Sequence, residues 1–204
     1  MGRREENKQR KRERLEAEGL RLFLEHGYDR ASVEQIVAAS DVARGTYYLY
    51  FPDKLALFES LIDRWFAPLL EVFERVDERL GSATNRVESL LIYLEMAQEL
   101  TAVALAHQEE ILMGFRELRA AGEAGERLRR RELHIHEAAT TITETAAKKG
   151  LITVEDPRLA ALIILGAVER LHYEWLLGRD LGSPEELPGR VMRLIGRMLE
   201  LPTL

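Results

Sequence analysis

The 204-residue chain has no cysteine. Disulfides and thiolate metal sites are thereby excluded, so a chain of this length must be held by its own apolar core, as suits a reducing compartment. No apolar run approaches 18 residues, and no basic start, apolar core and small-residue cleavage site mark a signal peptide. A soluble, cytoplasmic protein that makes no membrane contact is expected. The chain also lacks an HExxH pair, a glycine-rich phosphate loop after a strand and a GxSxG turn. No residue is nominated as catalytic, no enzyme activity is expected and no cofactor is implied. His134 and His136 lie two positions apart, about 200° around a helix, and cannot chelate one ion. His107 and Glu110 have the better i,i+3 spacing of a surface contact, so no metal site is expected.

What charge there is lies unevenly. The formal net charge is −6, from 29 Lys+Arg against 35 Asp+Glu. Residues 1–64 hold 12 of each sign, so the whole acidic surplus falls beyond them. Within the first fourteen residues Arg3, Arg4, Lys8, Arg10, Lys11, Arg12 and Arg14 stand against three glutamates. A basic arm on a neutral small domain, tied to an acidic larger one, suits a partner with a phosphate backbone, because the local field and not the total decides such binding.

The most informative stretch is SVEQIVAASDVARGTYYLYFPDK, residues 32–54. Ser32 and Gln35 have the spacing of a capping box, which predicts a helix from Val33. Val33, Ile36 and Val37 recur at helical spacing, and the pattern breaks at Ser40-Asp41, where aspartate tolerates a left-handed turn. A second short helix is predicted from about Arg44 to Phe51, stopped by Pro52. Two short helices about a tight turn make a helix-turn-helix able to present side chains to a DNA groove.

The run GYDRASVEQIVAASDVARGTYYLYFPDKLALF resembles the DNA-binding signature of the TetR family of bacterial transcriptional regulators, with its tyrosine-rich recognition helix ending in Tyr-Phe and a lysine opening the next helix. The resemblance covers roughly residues 9–64 by motif, and the remainder by length and helical layout. Asp41 stands where the family usually has glycine, Ala43 where it has a small capping residue, and Tyr47 where it has an aliphatic one. The resemblance implies an all-α protein: a helix-turn-helix domain over residues 1–64 and a larger helical ligand-binding and dimerisation domain over 65–204. It implies Ser32, Arg44, Gly45, Thr46, Tyr48, Tyr50 and Lys54 as DNA-binding residues. Among them Arg44 is suited to a base edge, and Thr46, Tyr48, Tyr50 and Lys54 to phosphates. Tyr47 then faces the small domain's core.

Along the rest of the chain, a first helix is predicted from Asn7 or Lys8 to His26, with Gly19 placed for close approach of another helix and Gly27 as a left-handed cap. A fourth helix begins at Asp53, with Pro68 expected to kink or interrupt it. Residues 85–100 read as an interior helix carrying Gln98 on its seam, 101–119 as the next, and Gly122 precedes a long one ending at Gly150. The resemblance implies a small-molecule effector among the core helices, and Tyr93, Met96, Gln98, Met113, Phe115, His134 and Trp175 are its candidate lining. In the last two helices Ala160, Ile164, Ala167 and Leu171, then Val191, Leu194, Ile195 and Met198, form stripes suited to a four-helix homodimer interface. The expected function is a repressor released from a palindromic operator by its effector. The alternative is a helical adaptor acting through protein contacts of its C-terminal helices.

Overall fold

The structure is a computed structural model that describes residues 2–183 and 186–199. The chain is all-α, with no strand among the described residues. Its helices are α1 (Arg3–His26), α2 (Val33–Ser40), α3 (Arg44–Tyr47), α4 (Lys54–Ser82), α5 (Arg86–Ala106), α6 (Gln108–Leu118), α7 (Glu123–Lys148), α8 (Pro157–Leu176) and α9 (Leu187–Met198). They form two compact units: residues 1–66 with 107–130, and residues 67–106 with 131–204. A single cut at residue 64 therefore does not describe the packing, because α6 and the start of α7 fold with the N-terminal helices.

In the first unit α1 buries Leu15, Gly19, Leu20, Leu22 and Phe23. A Cβ on Gly19 would lie 2.7 Å from Leu57 Cδ2, so this glycine is where α4 crosses α1. Phe23, Tyr28 and Phe58 close the core around that crossing, with ring centroids 5.1–5.7 Å apart. Helix α1 starts at Arg3, earlier than Asn7 or Lys8, since Gly2 O accepts from the N–H groups of Glu5 and Glu6 at 2.8 and 3.2 Å and both glutamates suit the positive helix end. The basic arm is thus helical. Gly27 has φ 81° and ψ 160°, a positive-φ stop with extended ψ in place of the expected left-handed cap.

In the second unit Val72, Phe73, Val76 and Leu80 of α4 pack with Leu90, Ile92 and Tyr93 of α5, Ala139, Ile142 and Ala146 of α7, and Ala160 and Ala161 of α8. Helix α5 packs on α9, and the N–H of Thr153 donates to Leu199 O at 3.1 Å. By length and composition α5 is apolar enough to cross a membrane, with a mean hydropathy of 1.3. Leu90, Ile92 and Tyr93 are buried in this core, while Val87, Leu91 and Leu105 are exposed, so α5 packs by one face and is not the interior helix expected of residues 85–100.

Several expected boundaries move. Pro68 lies inside α4 and does not end it, because the loss of one backbone bond is offset by buried Phe66, Val72 and Phe73 on either side. Residues 101–106 continue α5, and the break comes at His107, whose φ −129° and ψ 35° leave the helical region. Asp156 and Pro157 begin α8 as their types suggest: Asp156 Oδ1 accepts from Leu159 N at 3.0 Å. Ser183-Pro184-Glu185-Glu186 has the residue types of a helix start, and its Pro184 and Glu185 lie outside the described residues.

Gly19→Ala tests the α1–α4 crossing. Alanine gains about 1 kcal/mol in helix propensity, but Leu57 is fully buried and has nowhere to swing, and overpacking costs about 1–3 kcal/mol. The variant is expected to unfold at lower urea concentration than the parent. The added truncation Leu57→Ala should make Gly19→Ala less harmful than it is alone, and additive losses would show that the two residues do not meet.

Candidate nucleic-acid interface

The helix-turn-helix is assembled by local bonds that its residue types anticipate. Ser32 N donates to Gln35 Oε1 at 2.8 Å while Gln35 N donates to Ser32 Oγ at 3.2 Å, a complete capping box at the start of α2. Asp41 ends α2 at φ 51° and ψ 44°, in the left-handed region, and Val42 N then donates to Val37 O at 3.1 Å. Buried Ser40 returns its hydroxyl to Ile36 O at 2.7 Å.

The second helix is shorter than the predicted span to Phe51. It covers Arg44–Tyr47, after which Leu49 N and Tyr50 N donate three residues back, to Thr46 O and Tyr47 O, and the chain tightens. Tyr47 is fully buried; its ring packs near those of Tyr48 and Phe51, and its hydroxyl donates to Asp53 O at 3.0 Å. Burial holds the Tyr47 phenol well above its ordinary pKa. With Tyr47 inward, Arg44, Gly45 and Tyr48 are exposed and Thr46 and Tyr50 half-buried. Leu49 is 80% exposed in the same turn and was missed from sequence, although Tyr47 and Phe51 facing inward at i and i+4 imply its outward phase.

The basic groups here are not idle in the isolated chain. Arg44 Nη2 lies 3.0 Å from Glu34 Oε1, both exposed, and a hydrogen bond with Tyr48, then the charge of Glu34, raise the guanidinium's pKa. Arg14 Nη2 lies 3.5 Å from Asp41 Oδ2. Lys54 departs most from expectation. Its ammonium donates to Tyr28 O at 2.6 Å, Ala31 O at 2.9 Å and Asp29 O at 3.4 Å, and sits 4.1 Å over the Tyr28 ring. Desolvation lowers its pKa. In this geometry Lys54 satisfies the turn between α1 and α2 and is not presented outward, because that turn carries carbonyls with no helical partner. Tyr28 is held up to about 12, chiefly by burial and then by nearby acids including Glu123 and Asp53.

The candidate effector lining is not gathered in one unit. Tyr93 is buried in the core of the second unit with Met96 packed against it, whereas Gln98 and His134 are exposed and Trp175 is half-buried against His172. Gln98 therefore does not sit on the buried seam expected for it. Met113 and Phe115 belong to the first unit. Of the C-terminal stripes, Ala160 is taken into the core, and Ile164 and Ile195 are packed partly against it. Leu171 and Val191 are half-buried, Ala167 is exposed, and Leu194 is 69% exposed. Met198 lies at the end of α9, and its side chain falls outside the described residues. The large apolar residues left outward on α8 are Leu159, Leu162 and Ile163. Among the described residues no group of three or more potential ligand side chains could hold a metal.

Residues 17–61 match the bacterial regulatory proteins of the tetR family, and residues 94–199 match the tetracyclin repressor-like C-terminal domain. The chain is 29% identical over 98 residues to an uncharacterised HTH-type transcriptional regulator of Bacillus subtilis, covering 48% of this chain and 32% of that protein. It is 26% identical over 180 residues to the fatty acid metabolism regulator protein of the same organism, covering 85% and 88%. The match thus spans about a third of one relative and most of the other. A solved structure of the regulator FadR from Bacillus subtilis, in complex with stearoyl-CoA, has a TM-score of 0.67 at 20% identity, covering 91% of this chain and 97% of that one. Both the helix-turn-helix and the larger helical region are accounted for, and the chain belongs to the TetR family of bacterial transcriptional regulators.

Proposed function

We propose that the protein is a non-enzymatic, homodimeric repressor that binds a palindromic operator and is released by a small-molecule effector. The observation that carries this reading is the outward face of α3 and its following turn, where Arg44, Tyr48 and Leu49 stand exposed around a fully buried Tyr47. A guanidinium reads guanine bidentately, and an apolar side chain meets a thymine methyl. A Cβ on Gly45 would meet nothing within 4 Å, so the surface beside Arg44 is open to a partner's approach. Thr46, Tyr48, Tyr50 and Ser32 are assigned to phosphates. Lys54 is reassigned to holding the turn behind them.

Effector binding is assigned to the second unit. The Tyr93 hydroxyl is buried there and makes no hydrogen bond among the described residues, a polar point inside an apolar core. Helix α4 runs unbroken from residues of one unit to residues of the other, the route by which an effector favouring one state would change DNA affinity. Dimerisation is assigned to the outward seam of α8 with Leu194 of α9. Leu194 itself stands among Arg190, Arg193 and Arg197 on the outer face of α9.

A mobility shift with duplex from beside the protein's own gene, at two salt concentrations, tests the reading as a whole. Arg44→Ala should cost about 1–3 kcal/mol at the preferred site and relax one base position per half-site; a uniform loss over random duplexes would remove it from base reading. Lys54→Ala is expected to lower stability by about 1–3 kcal/mol through three abandoned carbonyls and to leave the salt slope unchanged. A slope lower by about 0.9 would place Lys54 on a phosphate instead. Leu194→Glu with Ile163→Glu changes two exposed residues, so the single chain should stay helical. The pair should sediment as a monomer and lose palindromic binding far more than non-specific binding; a dimer with parental affinity would show that the protomers join elsewhere.

A further inference from the structure

The turn of residues 27–31 that follows α1 and leads to the cap of α2 is held from outside the helix-turn-helix. Its own backbone bonds are few: Gly27 N donates to Phe23 O at 2.9 Å and Ala31 N to Gly27 O at 3.2 Å. The last turn of α6 supplies two more. Arg116 Nη1 donates to Leu24 O at 2.8 Å, one of the four terminal carbonyls of α1 that lack a helical partner, and Glu117 Oε1 accepts from Tyr28 N at 2.9 Å. Glu117 is 8% exposed; a Cβ on Gly27 would lie 3.4 Å from its carboxylate, an ordinary contact, so the φ of 81° and not space is what calls for glycine there. Lys54 of α4 takes the carbonyl of the same residue, Tyr28. Tyr28 is thus gripped at its N–H by α6 and at its C=O by α4.

We propose that Arg116 and Glu117 are positioning residues for DNA recognition: the end of α6 sets the place of the α1–α2 turn, and DNA affinity responds to it although neither side chain belongs to the reading face. The turn leads directly into Ser32, whose capping box ties the chain to the first turn of α2, so displacing the turn displaces that helix start. A guanidinium at the negative end of α1 and a carboxylate on a buried N–H are each favourable where they stand. The Tyr28 N–H is buried, so water replaces Glu117 there only if the turn opens, whereas the Arg116 bond is exposed and adds to that hold from the surface. Residues 107–130 therefore do more than cover the back of the helix-turn-helix, and α7 carries on from them past Arg130 into the second unit's residues.

This inference rests on the DNA-binding reading, and hydrogen exchange separates the two. Glu117→Leu keeps bulk and removes the acceptor, Glu117→Gln keeps an acceptor without charge, and Arg116→Ala alters an exposed residue that leaves the core intact. Amide exchange at Tyr28 and Ile36, thermal midpoint, and affinity for a duplex selected by the parent protein from a random library are measured on each. Glu117→Leu should expose the Tyr28 amide, speed exchange at Ile36 and weaken binding to the selected duplex about tenfold, within the range of coupling between distinct sites. Arg116→Ala should act in the same direction less strongly, and Glu117→Gln should restore near-parental values. The proposal is overturned if Glu117→Leu leaves the Tyr28 amide and the affinity at parental values, or if protection falls evenly across α1, α2 and α4, which would make the role purely structural. A parent that selects no duplex would sink the DNA-binding reading, and with it the claim that affinity responds to α6.

Discussion

A helix of four residues cannot hold itself, because its first turn fixes several dihedral angles for a single hydrogen bond. Everything in the N-terminal unit follows from having to hold α3 in place nonetheless. Tyr47 is driven fully inside, its hydroxyl ends on Asp53 O, and Val42 and Phe51 are buried on either side of the short helix. Behind it, α1 and α4 cross at Gly19, where only a missing side chain lets Leu57 reach the helix backbone. The exposed residues of α3 are therefore presented by a support that is dry and aromatic, and the reading face itself contributes little to stability.

That division also governs the charges. The first unit holds equal numbers of basic and acidic residues, so the chain's surplus of −6 belongs to the second. On the reading side, Arg44 rests against Glu34 and Arg14 against Asp41. Exposed pairs of this kind are worth at most about 1 kcal/mol, so in the proposed DNA-binding role a phosphate or a base edge would displace the acid at small cost. Lys54 is different, since its partners are three carbonyls of a turn and its ammonium is partly desolvated. A basic side chain is paired with a surface carboxylate in one place and with the carbonyls of a turn in another, according to what lies within reach.

Much of the first unit was legible in order. Ser32 and Gln35 had the spacing of a capping box and Asp41 the chemistry of a left-handed stop, and each formed the expected bond or dihedral. Gly19 pointed to a close helix contact, which Leu57 makes. What went astray was of another kind. Gln98 followed Leu94 at helical spacing yet is exposed, and Ala160 was placed on an outward stripe yet is buried. Periodicity says which residues share a face but not which neighbour that face meets.

By itself, then, the sequence determined the all-α character, the helix-turn-helix and the chemistry of its caps, because these depend on residues at most four apart. Only the tertiary structure decided that residues 107–130 fold with the N-terminal helices, that Glu117 reaches Tyr28 across 89 residues of chain, and that Lys54 turns toward carbonyls. Hydrogen-bond partners distant in sequence leave no periodic trace, since a buried donor requires only that some acceptor be near, and the packing of helices determines which one is.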